Sequence, residues 1–219
     1  MTQLKKYLSE EDFKAGLVAL DAEMGRNPWL VAFAPIRILT TGGFLAVSYL
    51  KTRDTTADLD YLIEPEFAGD GDVKSALRES IDSVGYQLKF NDEWFNDDIS
   101  IFVTKRTREI LFERADGQGI MLWEGENLKV LAAPIEWALE SKLRRLHRGH
   151  RDRKAETDMA DAIALLKLLR NRSKGLLDLE SIRTMNTNGF DICPDIATMH
   201  RVAAEYSRHY HEEIFHEDD

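Results

Sequence analysis

The chain has 219 residues, which is enough for one domain with additions or for two small domains. Apolar residues make up 43% and charged residues 31%, as in an ordinary globular protein. The net charge of −10 argues against extensive wrapping of DNA, because contact with many phosphates requires a basic surface.

Cysteine content and hydropathy indicate where the protein resides. The single cysteine, Cys193, excludes an intramolecular disulfide and favours a reducing compartment. The first residues lack the apolar core of a signal peptide, and the most apolar run, residues 29–39, is interrupted by Pro35 and Arg37. We therefore expect a protein without a membrane span, located in the cytoplasm or the nucleus.

Apolar periodicity predicts alternating helices and strands in the first part of the chain. Ser9 is a plausible N-cap for the first helix, and Gly85 a plausible end for the third. In chain order, we expect a helix over 10–25, a strand over 36–40, a helix over 44–50, a strand over 58–63 and a helix over 72–84.

Strands are expected next, followed by helices alone. The strands are predicted over 86–90, 99–103, 110–113, 120–123 and 128–132, with a hairpin turn at 116–119. From Pro134 the period becomes helical, which predicts helices over 134–148, 155–171, 178–187 and 194–214. We therefore expect an α+β fold with a mixed sheet and flanking helices over residues 1–133, and a helical C-terminal subdomain over residues 134–219.

Two adjacent glycines, Gly42 and Gly43, lie between a predicted strand and a predicted helix. Glycine has no Cβ to block the approach of a polyphosphate, and the N-terminus of a helix attracts anions. The glycine pair therefore predicts a phosphate-binding turn.

Two carboxylates follow at the start of the next predicted strand. Asp58 and Asp60 lie two residues apart, so their side chains should share one face while Leu59 points to the core. Two divalent cations held by several carboxylates are a common arrangement for phosphoryl transfer. Asp58 and Asp60 are thus candidate ligands for Mg²⁺.

Together these residues resemble the DNA polymerase β-like nucleotidyltransferase superfamily, in its "GG…R-x-T-x-DxD" form. The resemblance rests on Gly42-Gly43, Arg53, Thr56 and Asp58-Leu-Asp60. That form occurs among proteins similar to the AbiEii-like toxin nucleotidyltransferases and their uncharacterised relatives. Arg53 lies five residues before Asp58, one more than in the family pattern. The resemblance implies a nucleotidyltransferase-type fold and a site for a nucleoside triphosphate (NTP) and Mg²⁺, with Gly42, Gly43, Arg53 and Thr56 contacting the nucleotide.

The resemblance continues more weakly from Val130 to about residue 170. Lys142 and Asp158 match residues that lie near the active site in that family. The resemblance thus implies that Lys142 contacts substrate phosphate and that Asp158 gives polar support.

A third carboxylate usually lies on a later strand of the same sheet in this superfamily. Asp98, at the entrance of the predicted strand 99–103, is the preferred candidate, with Asp97 as the alternative. Asp58, Asp60 and Asp98 would then hold two Mg²⁺ ions and be the catalytic residues.

Two hypotheses follow for the function. In the first, the protein transfers a nucleoside monophosphate from an NTP to a hydroxyl group of a protein, an RNA or a small molecule. In the second, the fold is kept as a nucleotide-binding or regulatory module without turnover.

Overall fold

The computed structural model describes residues 3–149, 153–189 and 192–216 of the chain. It divides into two compact units, Met1–Ala133 and Pro134–Asp219. Helices flank a mixed sheet in the first unit, which confirms the expected α+β class.

The first unit begins with a short strand and a long helix. Its elements are β1 (Leu8–Ser9), α1 (Glu10–Met24), α2 (Pro28–Val31), β2 (Ile36–Thr41), α3 (Gly42–Leu45) continued by a π-type turn (Ala46–Leu50), β3 (Thr55–Thr56), β4 (Leu59–Ile63), α4 (Gly71–Leu88), β5 (Phe95–Asn96), a 3₁₀ helix (Asp98–Phe102), α5 (Lys105–Gln118), β6 (Met121–Glu124) and β7 (Leu128–Ala132).

Five strands form the main sheet in the order β5-β4-β2-β7-β6. Strand β2 runs antiparallel to β4 and parallel to β7, and β4 runs parallel to β5. Strands β1 and β3 pair separately, with Leu8 opposite Thr56. The end of β2 and the start of β4 therefore lie side by side, at one end of the strands of the main sheet.

One hydrophobic core joins the main sheet to helices α1 and α4. Alternate residues of β2 and β4 face this core, because successive side chains of a strand point to opposite faces. The buried members of the cluster include Ile36, Ile38, Leu59, Tyr61, Ile63, Phe13, Leu17, Leu20, Val73, Leu77, Ile81 and Trp94.

Trp94 packs against glycines of both helices. A Cβ on Gly16 of α1 would lie 2.8 Å from Trp94 Cζ3, and a Cβ on Gly85 of α4 would lie 2.9 Å from Trp94 Nε1. The indole is 1% exposed, and its Nε1 donates to the carbonyl of Ile81 at 3.2 Å. Both glycines are therefore required for close packing.

Gly85 does not end α4, so the helix prediction for 72–84 was too short and the strand prediction for 86–90 was wrong. The helix continues to Leu88, and Lys89 supplies the left-handed C-cap with φ of 57°. The glycine at position 85 instead makes room for the indole of Trp94.

The strands predicted over 99–103 and 110–113 were also wrong. The first segment is the 3₁₀ helix, in which Ile101 and Phe102 are exposed. The second belongs to α5, which buries residues at helical spacing and ends at Gly119 with φ of 69°, so the hairpin predicted at 116–119 is also wrong. An apolar run as short as 110–112 fits either a strand or a helix, and burial on one helix face decides between them.

The second unit consists of helices over most of its described residues. Its elements are α6 (Ile135–Arg148), α7 (Arg153–Ser173), α8 (Leu179–Arg183) and α9 (Ile196–Tyr210).

Glu212 connects α7 to the end of α9. Its carboxylate accepts hydrogen bonds from the side chains of Lys167 and Arg170, and from the hydroxyl of Tyr206 at 2.8 Å. The hydrogen bond from Lys167, followed by those from Tyr206 and Arg170, lowers the pKa of Glu212 to about 2.

We expect Gly85→Ala to destabilise the first unit by about 1–3 kcal/mol, because the added methyl group would displace the indole of Trp94. Gly117→Ala is the matched control: Gly117 also lies in a helix, and its Cβ would meet nothing within 4 Å. The control should stabilise by up to about 1 kcal/mol through helix propensity. Denaturant unfolding of both variants measures the difference, and equal effects would contradict the packing role of Gly85.

Glu212 should make stability depend on pH in the acid range. The pKa of Glu212 falls from 4.5 to about 2 on folding. The contribution of Glu212 to the free energy of unfolding is therefore complete above pH 4.5 and is lost as the pH falls towards 2. Glu212→Gln should therefore be less stable than the wild type at neutral pH, and the gap should close on acidification. Urea unfolding of both proteins across this range tests the sign; a gap that does not change with pH would contradict it.

Candidate active site

The candidate site begins where β2 ends. Thr41 is extended, and Gly42 then turns the chain with φ of 71°, a left-handed conformation that favours glycine. Phe44 follows in α3 and packs edge-on against Phe13 of α1, with ring centroids 4.9 Å apart. Burial of Phe44 therefore fixes the direction in which the glycine backbone leaves the sheet.

Asp60 lies directly against Gly42. Thr41 pairs with Asp60 across the antiparallel strands, and the hydroxyl of Thr40 donates to the Asp60 carbonyl at 2.8 Å. A Cβ on Gly42 would lie 3.1 Å from Asp60 Oδ2. A side chain at position 42 would therefore crowd the carboxylate of Asp60.

Thr56 lies against Gly43. A Cβ on Gly43 would lie 2.7 Å from the Cβ of Thr56 and closer still to its Oγ1. Thr56 is 8% exposed and is held in β3 by pairing with Leu8. The structure therefore brings Gly42 close to Asp60 and Gly43 close to Thr56. Together with Asp58, we call these residues the glycine–aspartate site.

Asp58 and Arg53 are half-buried in the segment between the π-type turn and β4. Strand β4 starts at Leu59, one residue later than expected, so Asp58 immediately precedes it. The side chain of Leu59 is completely buried, and the alternation of side chains along β4 gives Asp60 the opposite face.

Asp98 lies outside the sheet, because the segment expected to be its strand is the 3₁₀ helix. Its side chain is exposed at the first position of that helix. Across the residues described here, no group of three or more His, Cys, Asp or Glu side chains is close enough to hold a metal ion. The structure thus does not unite Asp98 with Asp58 and Asp60 in a three-carboxylate set.

Asp97, the alternative third carboxylate, interacts with other groups. Its Oδ2 lies 3.1 Å from Lys74 Nζ of α4. Burial raises the pKa of Tyr61, and the charge of Asp97 raises it further. Tyr61 occupies the core face of β4, opposite to Asp60.

Asn96 is the residue opposite Asp60 on β5. It is 4% exposed; its Nδ2 donates to the Glu93 carbonyl at 3.1 Å, and its Oδ1 accepts from the Asp98 N–H at 3.1 Å. Nothing in the sequence alone singles out Asn96, because its place depends on the pairing of β5 with β4.

Lys142 and Asp158 form an ion pair inside the second unit. Lys142 Nζ lies 2.9 Å from Asp158 Oδ1 and 2.5 Å from Asp161 Oδ2, and Arg145 Nε lies 2.8 Å from Asp158 Oδ2. The side chains of Lys142, Asp158 and Asp161 are 4%, 9% and 0% exposed. Since this network joins α6 to α7, we assign Lys142 to the interior of the helical unit, in contrast to the expected phosphate contact.

No protein-family model, curated protein or solved structure matches this chain. Over the described residues, the helices include none that is long and apolar enough to cross a membrane.

Lys142→Met should destabilise the second unit by about 3–5 kcal/mol, because it removes the ammonium group from two buried carboxylates. Arg148→Met, an exposed cation on the same helix, is the control and should change stability by less than about 0.5 kcal/mol. Thermal and denaturant unfolding test this. A stable Lys142→Met variant that binds triphosphate more weakly would instead support the phosphate contact.

Proposed function

We propose that the glycine–aspartate site binds a magnesium–nucleoside triphosphate and that the protein transfers the nucleoside monophosphate to an acceptor hydroxyl. The observation that carries the proposal is the position of Asp60 Oδ2 beside the backbone of Gly42. A carboxylate next to backbone that has no side chain supplies a metal ligand and a phosphate cradle at one place.

The chemistry of the two carboxylates fits magnesium. Mg²⁺ in nucleotide sites is commonly held by one or two carboxylates together with substrate phosphates and water. Asp58 and Asp60 would provide the protein ligands. When bound, the ion would offset the charge of the triphosphate and of the leaving pyrophosphate.

The remaining groups of the site would orient the triphosphate. Backbone N–H groups at Gly42 and Gly43 would donate to phosphate oxygens at the start of α3. Arg53 and Thr56 are proposed as further contacts, Arg53 because its charge would complement the phosphates. An acceptor hydroxyl of a protein, an RNA or a small molecule would attack the α-phosphorus and lose its proton to water. The bond from the α-phosphorus to the bridging oxygen of the β-phosphate would break and release pyrophosphate.

We also propose that the first unit has a nucleotidyltransferase-type fold. This proposal is supported by the order of elements: β2, the glycine pair, a helical segment, and β4 with two acids at its start. The resemblance to the DNA polymerase β-like superfamily rests on the same residues.

A second candidate function is nucleotide binding without turnover. Asn96 favours it, because an amide stands beside Asp60 where a third carboxylate would help to bind a second ion and to activate the acceptor. Both functions require the same metal–triphosphate site, so they differ only in whether pyrophosphate is released.

Calorimetry with each common nucleoside triphosphate, with and without Mg²⁺, should detect metal-dependent binding. Asp60→Asn should weaken it by about 10-fold to 100-fold or more, because loss of a ligand should cost at least as much as loss of an outer partner. Glu79→Gln, which removes an exposed charge from α4, is the control and should bind like the wild type. Unchanged Mg²⁺ dependence in Asp60→Asn would refute the metal site.

The same proteins, incubated with α-labelled triphosphates and a cell lysate, distinguish the two functions. Transfer of label that is lost in Asp60→Asn supports the nucleotidyltransferase and identifies the class of acceptor. Metal-dependent binding without label transfer or pyrophosphate release supports the binding module.

A further inference from the structure

The backbone on both sides of Asp58 is held by one turn. The carbonyl of Ala57 accepts a hydrogen bond from Asn91 Nδ2 at 2.8 Å. The N–H of Leu59 donates to the carbonyl of Trp94 at 2.8 Å. Asp58 thus lies between two peptide groups that are fixed by residues 91–94, which we call the Asn91–Trp94 turn.

The Asn91–Trp94 turn is itself firmly fixed. The N–H of Glu93 donates to Asn91 Oδ1 at 2.9 Å, and the N–H of Trp94 donates to the Asn91 carbonyl at 3.2 Å. Since the indole of Trp94 is buried between α1 and α4, the turn cannot move without disturbing the core.

Asn91 also binds the N-terminal segment. Its N–H donates to the Lys5 carbonyl at 3.1 Å, and Nδ2 donates to the Lys6 carbonyl at 3.2 Å as well as to Ala57. One carboxamide therefore joins three separate segments. Replacement by Ala would remove both N–H donors of the side chain, and Ser would offer one hydroxyl on a shorter side chain in their place.

We infer that Asn91 is a positioning residue for Asp58, which sets the backbone on which this carboxylate stands. The consequence for ligand binding rests on the proposed function of the glycine–aspartate site. The consequence for the backbone does not depend on that function, because the hydrogen bonds to the Ala57 carbonyl and from the Leu59 N–H need no ligand. Small displacements of a metal-binding carboxylate weaken binding, and loss of an outer partner commonly costs about 10-fold to 100-fold in metal affinity.

Asn91→Ala should therefore weaken Mg²⁺-dependent ATP binding about tenfold and should speed exchange of the Leu59 amide proton. The matched control is Asn27→Ala, which removes a side-chain bond to the Trp29 N–H at the start of α2, outside the site. The control should lose some stability and keep both ATP affinity and Leu59 protection. Asn91→Ser, whose hydroxyl can still accept from the Glu93 N–H, takes the place of Asn91→Ala if the latter does not fold.

A double-mutant cycle with Asp58→Asn separates positioning from general loosening. If Asn91 acts through Asp58, Asn91→Ala should have little further effect on ATP binding in the Asp58→Asn background. The inference is overturned if Asn91→Ala binds ATP like the wild type, or if its effect is equally large in both backgrounds. If the wild-type protein binds no metal–triphosphate, the proposed function fails. The positioning role is then upheld if the Leu59 amide exchanges faster in Asn91→Ala but not in Asn27→Ala. Unchanged exchange of the Leu59 amide in Asn91→Ala refutes that role.

Discussion

The register between β2 and β4 is the constraint on which the candidate site depends. Thr41 stands opposite Asp60, and this pairing brings the carboxylate against Gly42. A slip of one residue would turn Asp60 into the core and move Leu59 and Tyr61 to the opposite face, because the side chains of a strand alternate. Burial of a leucine side chain such as that of Leu59 is worth about 1.5–3 kcal/mol. The hydrophobic core therefore determines where the acid lies.

Trp94 links that core to the Asp58 side of the site. Its ring occupies the space left by Gly16 and Gly85, and its carbonyl accepts from Leu59. The packing of α1 against α4 and the placement of Asp58 thus depend on the same residue. A destabilising change at either glycine should reach the site through this turn, although both glycines lie on helices that contribute no residue to it.

The sequence predicted the elements whose signals are local and failed where distant contacts decide. Helix α1, with Ser9 as its cap, and strands β2, β6 and β7 follow from periodicity and capping. Within the site, Gly42, Gly43, Thr56 and Asp60 come together because one strand–helix–strand unit carries them. The partner of Asp60 on β5 could not be predicted, since two-residue strands have no periodicity and the order of strands is not local. The hydrogen bonds of Asn91 could not be predicted either, because they join segments that are far apart in the sequence.

The choice of residue beside Asp60 has an electrostatic consequence. Asn96 lies opposite Asp60 in the pairing of β5 with β4, whereas the carboxylate of Asp97 lies against Lys74 of α4. An aspartate at 96 would add a third negative charge next to Asp60, which like-charge repulsion disfavours unless a cation is bound. With Asn96, the site carries two carboxylates and avoids that repulsion. Two carboxylates alone are a weak site for Mg²⁺, so the phosphates of a nucleotide would have to complete the ligand set. Metal and nucleotide would then bind cooperatively, each supplying what the other lacks.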